Sequence, residues 1–112
     1  MPIIEVKFRL WIELDGEFLM GKGGAEILKA IKKYGSISKA SKELEMSYRY
    51  VWGYIKRMEE KLGKKVVETK RGGEGGGESV LTDLAEKLLE IYEEAEKAFE
   101  KKVKEISSIA TI

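Results

Sequence analysis

The chain has 112 residues, 43% apolar and 37% charged, and its 21 Lys/Arg and 20 Asp/Glu leave a net charge of +1. That length supports one domain with a modest core and leaves no room for a second. Cysteine and histidine are absent, which excludes disulfides, thiolate zinc sites, imidazole catalysis and histidine pH switching. There is no long apolar run and no basic-then-apolar N-terminus, so neither a membrane nor secretion is indicated and the expected compartment is the cytoplasm. Asn and Gln are also missing from this charge-rich chain, a balance typical of hyperthermophile proteins.

Residues 4–14 alternate, with Val6, Phe8, Leu10, Ile12 and Leu14 on one face and Glu5, Lys7, Arg9, Trp11 and Glu13 on the other. This predicts a half-buried strand. Asp15-Gly16 is a tight-turn dipeptide and Phe18-Leu19-Met20 a short return strand, making an N-terminal strand or hairpin over residues 1–20. Ala25, Ile27, Leu28 and Ile31 mark a first helix over 24–35, with Gly35 as its C-terminal cap.

Residues 37–63 read as two helices joined by a very short turn. Ser36 or Ser38 can cap the first, and Ile37, Ala40 and Leu44 form its stripe; Ser47 can cap the second, whose stripe is Val51, Ile55, Met58 and Leu62. Gly63 stops it. A wing follows over 64–81, with strands at 66–69 and 78–81 around the run RGGEGGGE. Thr82 then caps a last helix over 82–106, whose Leu84, Leu88, Ile91, Ala95, Phe99, Val103 and Ile106 recur at three and four. The fold class is α+β: a single winged helix-turn-helix domain with an N-terminal strand or hairpin and a long C-terminal helix.

Two helices crossing steeply over a short turn leave the start of the second projecting, as major-groove readers require. Double-stranded DNA is therefore the expected partner. Ser47, Tyr48, Arg49, Trp52 and Gly53 are candidates for base contact, Arg49 because its planar fork matches guanine O6 and N7 and because no Asn or Gln is available for adenine. Ser36, Ser38, Lys39, Tyr54, Lys56 and Arg57 are candidates for phosphate contact, and Lys70 and Arg71 for the wing. Tyr48 and Tyr54 have an alternative place at the edge of the core, and for Trp52 core and groove both stay open. Gly53 weakens a helix interior, which implies close approach of its backbone to DNA or to another helix. Charge is segregated: residues 38–65 carry eight Lys/Arg against four Glu, and residues 82–106 five Lys against eight Asp/Glu. Such a dipole orients a protein in a phosphate field.

The last helix outlasts a domain this small. Ile91, Ala95, Phe99, Val103 and Ile106 would then form a coiled-coil-like homodimer seam, unless the alternating N-terminal segment covers them within one subunit.

Two glycine-rich segments mimic phosphate loops. GEFLMGKG (residues 16–23) has Gly where a magnesium-binding Ser or Thr belongs, and RGGEGGGE lies between strands instead of opening a helix. Neither supports nucleotide binding, and no cofactor or metal is expected.

Gly35-Ser36-Ile37-Ser38, Ala40, Ser47-Tyr48-Arg49 with Trp52, the glycine runs 72–73 and 75–77, and Leu81-Thr82 together resemble the N-terminal winged-helix domain of the ModE family of molybdate-responsive regulators, and more distantly LysR-type regulators. The resemblance spans residues 24–92. It implies a dimeric transcription factor. The family pattern continues into oxyanion-binding domains that are not found before Ile112, so no molybdate or tungstate site is expected in this chain. The favoured function is a sequence-specific transcriptional regulator. The alternative is a protein-interaction or architectural DNA-binding module of a larger transcription or toxin–antitoxin assembly; no carboxylate pair, thiol or imidazole argues for an enzyme.

Overall fold

Asp15 and Gly16 both take positive φ, 50° and 83°, the geometry of a two-residue hairpin turn whose twist matches its strands. The turn folds β1 (Trp11–Leu14) antiparallel onto β2 (Glu17–Gly21), with Leu14 opposite Glu17. Between Ile12 and Glu13 the register shifts, so Ile12 faces Met20 while Glu13 faces Phe18. Leu19 is the extra residue. This bulge lets Leu19 and Met20, neighbours in sequence, both enter the core.

The first strand is shorter than its alternation predicts. β2 has five residues and ends at Gly21, opposite Trp11, so residues 3–10 have no strand beside them and form no regular element. The structure, a computed structural model, describes residues 3–70 and 77–107; Arg71 and the glycine run at 72–76 lie outside them.

Helix α1 (Lys22–Tyr34) follows at once and ends at Gly35, which takes φ 67° and donates its N–H to Ile31 O at 2.8 Å. Ser36 caps α2 (Ile37–Glu43) by accepting from Lys39 N at 3.2 Å. Helix α2 closes with two bonds, Glu45 N to Lys42 O at 3.1 Å and Met46 N to Ser41 O at 2.9 Å, around Glu45 at φ 56°. This is a Schellman ending with glutamate in the left-handed position that usually belongs to glycine. Ser47 then caps α3 (Tyr48–Leu62), accepting from Tyr50 N at 3.1 Å, and Gly63 at φ 66° ends it.

Val51, Ile55 and Met58 of α3 pack with Met20, Ile27, Leu28, Ile31 and Ala40 in one core. Gly24 sits where α1 meets α3: a Cβ there would lie 2.7 Å from the Tyr54 ring and 2.9 Å from Met20 Cβ. Only glycine fits.

In the wing, β3 (Val67–Lys70) pairs antiparallel with β4 (Glu78–Leu81), Lys70 opposite Glu78. The ladder starts one residue later than predicted because Val66 is already engaged: its N–H goes to Glu59 and its carbonyl accepts from Thr82 N. Thr82 Oγ1 caps α4 (Asp83–Ser107) through Ala85 N at 3.3 Å and donates to Lys65 O at 2.9 Å. Helix α4 buries Ala85, Leu88, Leu89 and Tyr92, a face rotated from the predicted stripe. Ile91, Phe99 and Ile106 are consequently exposed, with Ala95 and Val103 half-buried.

Candidate nucleic-acid interface

With Val51, Ile55 and Met58 turned inward, the opposite face of α3 presents Arg49, Gly53 and Arg57 in one row and Tyr48, Trp52 and Lys56 in the next. A Cβ on Gly53 would meet only Arg57 Nη1, at 3.3 Å. No helix approaches it closely, so of the two reasons considered for this glycine the helix-packing one is removed. What remains is a bare stretch of backbone between two guanidinium-bearing side chains.

Trp52 is not a core residue. It is 46% exposed, with Lys56 Nζ 5.3 Å from the ring centroid. Tyr48 and Tyr50 are also about half exposed, at 52% and 48%. Tyr54 is different. Its hydroxyl accepts the Gly21 N–H at 3.1 Å, and its ring packs against Gly24 and edge-on to Tyr50. It ties α3 to the β2–α1 junction, so its position is that of a core-edge residue and not of a free phosphate ligand.

Ser47 and Ser36 accept the capping amides, which orders their helix N-termini and leaves each hydroxyl its own O–H to donate, while Ser38 and Lys39 are exposed on the first turn of α2. Arg57 lies over the Tyr54 ring at 5.6 Å, and Lys56 is held at 3.2 Å by Glu59. Glu59 was not singled out from sequence. Burial pushes its carboxyl up, but the amides of Val66 and Val67 together with Lys56 outweigh that and hold it below its ordinary value. One carboxylate thus joins the recognition helix to the wing. Its signal was there to read: Glu59 lies four residues after Ile55 and three before Leu62, on the flank of the buried stripe. On the wing Lys70 is exposed; Arg71 falls outside the described residues. Among the described residues no group of three or more Asp or Glu is placed to hold a metal, and no helix is long and apolar enough to cross a membrane.

A capped helix standing on a three-helix core, backed by a two-stranded wing, defines a winged helix-turn-helix domain. Residues 24–86 match the family described as "Bacterial regulatory helix-turn-helix protein, lysR family", and the chain belongs to that family. Within it the chain is similar to the transcriptional regulator ModE of Haemophilus influenzae, 32% identical over 91 residues that cover 81% of this chain and 36% of that protein. It is 40% identical over 73 residues to the molybdenum-pterin-binding protein MopB of Rhodobacter capsulatus, covering 65% of this chain and 27% of MopB. The chain spans about a third of the length of these relatives. Among solved structures it resembles the CbnR DBD–DNA complex, with a TM-score of 0.62 at 20% identity over 82% of this chain and all of that one. The BenM DBD bound to benA site 1 DNA is similar at the same TM-score and identity, over 82% of this chain and 98% of that one. These structural likenesses concern the fold.

Proposed function

We propose that this domain binds double-stranded DNA as a sequence-specific transcriptional regulator, with α3 in the major groove. The observation that carries the reading is the solvent face of α3, where exposed aromatics alternate with Arg49, Lys56 and Arg57 around the bare backbone of Gly53. An apolar protein partner would not call for three cations among those rings; a phosphate lattice does. The ModE relatives are named as transcriptional regulators, and the fold neighbours include domains solved on DNA, which supports the same partner.

In this reading Arg49 reads guanine, with Ser47, Tyr48, Trp52 and Gly53 at the base edges, while Ser36, Ser38, Lys39, Lys56 and Arg57 fix the register on phosphates. Lys70 and Arg71 reach the backbone from the wing. The domain acts as a homodimer through Ile91, Ala95, Phe99, Val103 and Ile106 of α4, of which Ile91, Phe99 and Ile106 are exposed apolar residues on one helix, and a dimer doubles the half-site. The regulator works in the cytoplasm.

Selection from random duplex DNA, with bound sequences retested at two salt concentrations, tests this. An enriched inverted repeat is the expected result. Salt-sensitive binding without enrichment would replace it with an architectural role, and no binding at all would replace it with a protein-interaction role.

A further inference from the structure

The sequence assigns residues 4–14 to one strand, and the fold leaves residues 4–10 of it without a partner. Trp11–Leu14 uses all of β2, and among the described residues no backbone hydrogen bond is made by this arm. An unpaired segment rich in Ile, Val, Phe and Leu is a template for another strand. The arm lies beside the C-terminal half of α4, where the Phe8 and Phe99 rings meet at 5.9 Å. Between arm and helix runs an open groove of about 1020 Å³, walled by Val6, Leu10, Tyr92 and Val103 among others. Ile3 and Ile4 remain exposed.

Charge says what covers it. The polar face of the arm reads Glu5, Lys7, Arg9. Laid antiparallel on residues 4–10 of a second copy, it sets Glu5 opposite Arg9 on both sides of a single Lys7–Lys7 pair; laid parallel in register, it sets like against like at all three positions. The local Lys7–Glu5 pair, 3.0 Å apart with both side chains largely exposed, holds little that would resist the exchange.

We infer that residues 4–10 pair antiparallel with the same residues of a second copy, forming an intermolecular ladder beside α4; this rests on the dimer reading above. The ladder adds main-chain bonds to a side-chain seam and fixes its register.

Hydrogen exchange of the full chain, resolved to the arm and run above and below the dissociation concentration found by ultracentrifugation, tests the pairing. Alternate amides of residues 4–10, those turned to the partner strand, should become protected at least tenfold as dimer forms. Protection should be lost in Lys7→Glu/Arg9→Glu and return in Glu5→Lys/Lys7→Glu/Arg9→Glu. A dimer whose arm amides exchange at unstructured rates overturns the ladder and leaves the α4 seam standing. A chain monomeric at every concentration overturns both, and protection indifferent to the charge reversals overturns the pairing.

Discussion

The Glu59 carboxylate accepts from Val66 N at 2.9 Å, locking the end of the recognition helix to the start of the wing. Val67 N adds a longer bond at 3.4 Å and Lys56 closes the group from the other side. Removing the carboxylate strands two part-buried amides. Glu59→Ala should therefore cost about 1–3 kcal/mol in denaturant unfolding at neutral pH.

The same group gives a pH dependence. Its folded pKa lies below the ordinary 4.5, so its stabilisation is present above the unfolded value and is lost as pH falls through the folded one. Unfolding followed from pH 6 downwards should show an acid limb in the parent chain that is shallower in Glu59→Gln. Equal limbs would show that Glu59 is not the linked group.

Three glycines should answer alanine differently. Gly24→Ala drives a methyl into Tyr54 and Met20 and should destabilise by about 1–3 kcal/mol, as overpacking does. Gly23→Ala meets nothing within 4 Å and should stabilise by about 0.5–1 kcal/mol. Gly53→Ala displaces only the tip of Arg57 and should also stabilise, yet weaken DNA binding if backbone meets DNA there. Thermal melts and binding titrations on the three variants separate these outcomes.

Glu45 holds a left-handed conformation at φ 56° that costs a non-glycine residue about 1–2 kcal/mol. Glu45→Gly removes that strain and adds unfolded-state entropy. The expected net gain is about 0.5–1 kcal/mol, read as a higher melting temperature, with the turn between α2 and α3 unchanged.

Arg49→Ala should lose about 1–3 kcal/mol at one or two base positions, whereas Lys39→Ala should weaken all sequences alike and flatten the salt dependence. Trp52→Ala should leave stability within about 0.5 kcal/mol, because the ring is half exposed, while reducing affinity. Competition titrations against single-base variants of the selected site read all three.

The helices were legible because their signals are local. Ser36, Ser47 and Thr82 act as caps and Gly35 and Gly63 as stops, and the stripe of α3 is the one the core takes. What was hidden depends on neighbours. Alternation along residues 4–14 describes a chain suited to be a strand without saying that a partner strand exists beside it, and β2 reaches only to Gly21. The periodic stripe of α4 runs through Leu84, Leu88 and Ile91, yet α1 and β4 keep only Leu88 of these fully buried and select Ala85, Leu89 and Tyr92 beside it. Within the candidate site, Arg49 and its surroundings follow from the helix-turn-helix pattern. The place of Tyr54 at the core edge and of Trp52 on the solvent face depends on packing, seen in the Gly21–Tyr54 bond and the Lys56–Trp52 stack.

The rings of Tyr48, Tyr50 and Trp52 stand in water on the free domain. Whatever partner covers them takes aromatic surface out of water, and that burial gives complex formation a negative heat-capacity change. The enthalpy of association should grow steadily more favourable on warming, so that calorimetry at several temperatures would register the contact of these three side chains even where a single affinity would not.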